Sequence, residues 1–176
     1  MRVDKSDARV TQEQLPILII GMGSPHGDDQ FGWLAARQLR ESSVFMQAFS
    51  EPVEVCLCRT PLDGFLDYAR DSRAIIVLDA VISGAPVGSL VRVEEEDLPG
   101  IQLTYSSHGQ SVVHMLELGR ALAILPRHVV VIGVELAACT AYGPMGRELE
   151  QTLLRCQQLV IAEIQSILAS NESGRN

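Results

Sequence analysis

The stretch Ile17–Leu39, ILIIGMGSPHGDDQFGWLAARQL, constrains the fold of this chain more than any other. Ile17 to Met22 run without a polar break, as expected of a central strand covered on both faces. A Gly21-Met22-Gly23 turn follows, and then a helix from about Asp29 with Phe31, Leu34, Ala35 and Leu39 on one stripe. A strand buried on both sides needs a layer above and a layer below, so this opening unit points to layered α/β architecture. Helix N-termini after such turns usually cradle phosphate, because free N–H groups and the helix dipole favour an anion. Here two adjacent carboxylates, Asp28 and Asp29, stand at that spot. Their charge repels a phosphate and welcomes a cation.

The pattern repeats along the chain. Val53–Cys58 reads as a second strand, and Thr60-Pro61-Leu62-Asp63 as a helix start with Thr60 as cap. Ala74–Leu78 is a third buried strand ending in Asp79, and Gly88–Val93 a fourth. Ser107-His108-Gly109-Gln110 has the form of a capping box opening a helix to about Ile124. His128–Val134 is a fifth strand, and a last helix is expected from about Met145 to Leu168. The alternation predicts a three-layer α/β/α sandwich around a largely parallel, mixed, five-stranded twisted sheet, of the phosphorylase/hydrolase-like kind. Residues 1–14 read as a flexible extension, 15–169 as one domain and 170–176 as a flexible tail.

Lys plus Arg number 14 against 22 Asp plus Glu, a formal charge of −8, which argues against nucleic acid or an anionic membrane surface as partner. No apolar run approaches the roughly 20 residues of a membrane span. The polar first residues lack the apolar core of a signal peptide, so a cytoplasmic location is expected. Cys56, Cys58, Cys139 and Cys156 include no C-x-x-C pair and read as free thiols.

In sheets of this kind the ligand crevice lies beyond the carboxyl ends of the strands. Asp28 and Asp29 follow the first strand, Asp79 ends the third, and His108 opens a helix that can point at the same edge. A carboxylate closing an apolar strand is costly unless it is hydrogen-bonded, paired or metal-bound. His108 in the first turn of a helix is kept neutral by the dipole and so keeps a lone pair for a metal. Two carboxylates and an imidazole form an O/O/N set for a borderline divalent metal with open positions. One aspartate of the pair is expected to cap the helix, leaving the other for the cation. His26, beside the pair, is a reserve ligand; His114 and His128 have weaker claims. Nothing resembles a Gly-x-Ser-x-Gly nucleophile elbow, and His26 stands where a dinucleotide fingerprint has its third glycine.

These motifs resemble those of the endopeptidases that mature nickel–iron hydrogenases. The family's strand, Gly-x-Gly-Asn turn, acidic pair and glycine-led helix correspond to Gly21-Met22-Gly23-Ser24 and Gly27-Asp28-Asp29-Gln30-Phe31-Gly32. Its second element is similar to Ile75-Ile76-Val77-Leu78-Asp79-Ala80 with the Gly88-Ser89-Leu90 strand after it. The third is similar to Ser106-Ser107-His108-Gly109, and Val131-Ile132-Gly133-Val134-Glu135 matches a strand near the end. Ser24 replaces the family's usual Asn, and Gln30 its common small residue.

The resemblance implies Asp29, Asp79 and His108 as nickel contacts, which leaves Asp28 to cap the helix. Asp28 or Asp29 is a candidate base toward water, the other route being a metal that polarises the carbonyl or activates water. It implies that the substrate is the precursor of a hydrogenase large subunit, cut to remove a C-terminal extension after nickel insertion. Nickel would be presented by that precursor as a recognition element, with no further cofactor, and the protease is expected to act as a monomer. Two other readings stay open. One is a non-proteolytic accessory that binds the precursor; the other is a peptidyl-tRNA hydrolase-like enzyme, echoed by Gly23-Ser24-Pro25 but at odds with the acidic charge.

Overall fold

A computed structural model describes residues 15–23, 27–58, 65–100, 104–105, 109–136 and 147–173. The strands are β1 (Ile17–Met22), β2 (Val53–Cys58), β3 (Ala74–Ile82), β4 (Leu90–Glu94), β5 (Thr104–Tyr105) and β6 (His128–Glu135). The helices are α1 (Phe31–Glu41), the single turn α2 (Ser43–Met46), α3 (Phe65–Arg70), α4 (Gly109–Ala121) and α5 (Arg147–Ser173). Short 3₁₀ segments cover Gly27–Gln30 and Glu95–Gly100.

The main sheet has the order β2-β1-β3-β6-β4, with β5 paired to the outer end of β3. β1, β2, β3 and β6 run parallel, whereas β4 is antiparallel to β6 and β5 to β3. This is the expected mixed five-stranded sheet, extended by a two-residue sixth strand. β1, all of whose residues are buried, sits between β2 and β3. The chain leaves β1 for β2 by way of α1 and crosses back to β3 by way of α3. The crevice of the fold therefore opens between the carboxyl ends of β1 and β3.

Strand alternation divides the core in two. One side is α1 and α5 against the sheet, with Phe31, Ala35 and Leu39 meeting Ile17, Ile19, Ile76, Leu78, Ile132, Val160 and Ile164. The other is α3 and α4, with Phe65, Ala69, Val112, Met115 and Leu116 over Leu18, Ile20, Val77, Val81 and Val131. No described helix is long and apolar enough to cross a membrane.

Four boundaries differ from the sequence reading. β3 does not stop at Asp79; it continues through Ile82, because Ala80 and Val81 find partners in Val134 and Glu135 of β6 after β1 has ended at its Leu78 pairing. β4 begins at Leu90, since Gly88, with φ 76°, still belongs to the turn. α5 runs on through Ser173, so residues 170–173, expected in a loose tail, are helical. α1 begins at Phe31 with Gln30 at its N-cap position, so Asp28 is not that cap. Gln30 makes no side-chain cap; its amide donates instead to Gly27 O at 2.6 Å and closes the 3₁₀ turn that carries both aspartates. The expected helix start at Thr60–Asp63 and the capping box of Ser107 lie outside the described residues. Cys56, Cys58 and Cys156 are in no disulfide; burial pushes the Cys156 thiol up to about 12.

Candidate active site

Asp29 and Asp79 are the two buried aspartates of the described chain, 3% and 1% exposed. Close backbone contact brings them together. A Cβ on Gly32 would lie 2.3 Å from both Met22 O and Leu78 O, at the ends of β1 and β3. Only glycine lets the first turn of α1 sit that deep in the crevice. Gly23, at φ +143°, has the same function one step earlier: a Cβ there would meet Asp29 O at 2.2 Å. The 3₁₀ turn is thereby pressed against the end of β3. On the far flank, the Trp33 indole donates to Cys58 O at 2.8 Å and ties α1 to the end of β2.

Asp79 accepts the Ala80 N–H at Oδ1, at 2.8 Å, while its Oδ2 is buried with no hydrogen-bond partner. Burial lifts its carboxyl from the usual range to about 7, the Ala80 N–H pulls it down, and the nearby Asp29 charge pushes it up. By strand alternation Asp79 shares the face of Val77 and Val81, which is the face covered by α4. His108 immediately precedes α4 in sequence but lies outside the described residues, as do Ser24 and His26. Among the described residues no three metal-binding side chains come together. Asp28 is half-buried beside Asp29 in the same 3₁₀ turn. His114, on α4, and His128, at the amino end of β6, are far along the chain from that edge.

The donor set fits a cation. Two buried carboxylates side by side repel one another, and a buried oxygen without a hydrogen bond is a strong acceptor left unused. A divalent ion would relieve both at once. An anionic ligand would worsen both.

A third buried carboxylate went without a role in the sequence reading. Glu135, 1% exposed at the carboxyl end of β6, accepts hydrogen bonds from Ser83 and Gly84, so its oxygens are occupied. Its signal in the sequence is the one Asp79 gave, an acid closing an apolar strand. Trp33 gave none, since its contact is with a backbone atom distant in sequence, and Gly32 entered only through the resemblance.

A family model described as hydrogenase maturation protease matches residues 46–164, more than half of the chain and including Asp79 and His108. The hydrogenase expression/formation protein HupD of Thiocapsa roseopersicina is 28% identical over 130 residues, which is 72% of this chain. The chain spans 57% of the length of that relative. Among solved structures, the hydrogenase maturating endopeptidase HybD from E. coli has a TM-score of 0.68 at 18% identity, over 86% of this chain and 93% of that one. A [NiFe] hydrogenase maturation protease HycI from Thermococcus kodakarensis KOD1 has a TM-score of 0.63 at 19% identity, over 83% and 90%. At such identities the structural likeness speaks for the fold, which Asp28 and Asp29 share although they precede the matched segment. The match of sequence over two of the three motifs, on this fold, means that the chain belongs to the hydrogenase maturation protease family.

Proposed function

We propose that this chain is an endopeptidase that removes the C-terminal extension of a nickel–iron hydrogenase large-subunit precursor after nickel has been inserted. In this reading Asp29, Asp79 and His108 contact the nickel that the precursor presents, and the protein works as a cytoplasmic monomer without a resident cofactor. The observation that carries it is the buried, unbonded Asp79 Oδ2 held beside a second buried carboxylate. Oxygen and imidazole donors suit an ion already partly coordinated by the precursor, because they complete its sphere without stripping its ligands.

The ion would supply positive charge at the recognition point and so fix the precursor against the crevice. Asp79 is partly protonated near pH 7 and gives up its proton as positive charge arrives. Asp29 adds a second negative charge from the opposite wall. Asp28 or Asp29, both on the same turn, would take a proton from the attacking water. The Gly32 contact keeps the two walls at fixed separation, which is the orienting part of the catalysis.

The test is to replace Asp29, Asp79 and His108 separately with alanine and follow nickel-loaded precursor by mass. Loss of cleavage in each variant is expected; normal cleavage by all three overturns the reading. A stable complex of unchanged mass with the wild-type chain would make it an accessory binder.

A further inference from the structure

The connection between β3 and β4, residues 83–89, leaves the sheet just beyond Asp79, and both of its ends are held by one residue. The carboxylate of Glu135 takes the near end. Its Oε1 accepts the Ser83 N–H and the Gly84 N–H, each at 2.8 Å. Its Oε2 accepts the Ser83 hydroxyl at 2.6 Å and shares the Ser83 N–H at 3.0 Å. The backbone of the same residue takes the far end: Gly88 N–H donates to Glu135 O, and Glu135 N–H donates to Ser89 O, both at 2.9 Å. Leu136 N–H then donates to Val81 O at 2.8 Å, which fastens β6 to β3 beyond the level of Asp79.

A buried charge is an expensive way to hold a loop, and an apolar residue of similar size often serves stability as well. What its acceptor oxygens offer is direction. Two successive N–H groups converge on one oxygen, and Gly84 at φ +86° adopts the left-handed turn that aims its N–H there. The path of the chain after Ile82 is thus dictated.

That path matters because of what lies on the outer end of β3. Val81 pairs with Tyr105 and Ile82 with Thr104 of β5, antiparallel. β5 therefore runs along β3 from Ile82 back in the direction of Asp79, and α4 starts at Gly109, directly after His108 in sequence. The hub at Glu135 thus supports the ribbon from which the third recognition motif departs.

We propose that Glu135 is a positioning residue for precursor recognition: it holds the outer end of β3 in the register on which β5 lies, and thereby sets where the chain enters α4 relative to Asp79. This rests on the nickel-recognition reading above.

The test compares E135L with E135Q. Glutamine keeps an oxygen where Oε1 accepts both backbone N–H groups, whereas leucine offers them no acceptor. E135L should bind nickel-loaded precursor about tenfold more weakly in a direct binding assay, and raise KM by the same factor with kcat little changed. E135Q should stay close to wild type in both. If E135L is folded by circular dichroism and binds precursor like wild type, or if only its melting temperature falls, the inference is overturned. Should E135L fail to fold, the single variant S83A removes only the hydroxyl bond to Oε2 and is judged by the same binding criterion, with a two- to threefold weakening expected, roughly, for one lost hydrogen bond. D79A run alongside separates the two ideas: normal binding by D79A defeats the recognition reading itself, whereas loss in D79A with none in the Glu135 variants defeats only the positioning role.

Discussion

Asp79 is held in an environment that opposes its ionisation, and the sign of the consequence can be worked out. Its folded carboxyl sits at about 7 against an ordinary 3.8, so between those values the folded chain binds a proton that the unfolded chain does not. Stability is therefore highest below about pH 4 with respect to this group and falls as pH rises through the window, levelling above 7. The full penalty is about 4 kcal/mol from the two titration points. D79N removes the ionisation: the variant should melt higher than wild type at pH 8, with the difference vanishing near pH 4, while cleavage is lost. Thermal unfolding across pH with both proteins checks it, and a constant offset would contradict the assignment. Recognition of a cation should strengthen with pH up to about 7, since the ion must displace that proton.

At the scale of elements, β1 was legible because a strand covered on both faces is an unbroken apolar run, and Val53–Cys58, an edge strand with Glu54 exposed, also fell where expected. Asp79 was legible as a charge closing an apolar strand, and Asp29 as one of an acidic pair at a glycine turn. The misplaced limits have a common cause: long-range pairing decides them. β3 outlasts Asp79 because β6 and β5 pair with it, and no local pattern in Ala80–Ile82 announces that. The cap at α1 was misassigned because a 3₁₀ turn, closed by Gln30, intervenes between the acidic pair and the helix.

The end of α4 holds a local strain that can be relieved. Ala123 adopts φ 53°, with Ala123 N–H donating to Arg120 O and Ile124 N–H to Gly119 O, the closing turn that glycine normally occupies. Ala123→Gly should stabilise the protein by about 1 kcal/mol. Denaturant unfolding would show a raised midpoint at unchanged slope.

For the whole molecule, the proposed function assigns the face of the sheet that Asp79 shares, together with the first turn of α1, to the site and the rest of α1 and α5 to support. α5 and α1 bury Ile164, Val160 and Phe31 on the face away from Asp79; α4 buries Leu116 and Val112 on the face Asp79 shares. I164A and L116A remove similar volumes and should each cost about 3 kcal/mol. Their functional effects should diverge. I164A should leave KM for precursor unchanged below its melting transition, whereas L116A should raise it, because α4 is the helix that follows the third motif. Equal KM values for the two variants would mean that the sheet does not partition the roles.

The seat of Gly32 against Met22 O and Leu78 O has one more outcome. Side chains can repack around a misfit, but touching main chains cannot, so the gap between Asp29 and Asp79 behaves as a caliper set by the diameter of the backbone itself. A caliper measures what enters it: on the proposed function, ions of different radius would meet the same jaws, and the size that suits them is written in Gly23 and Gly32 rather than in the acids.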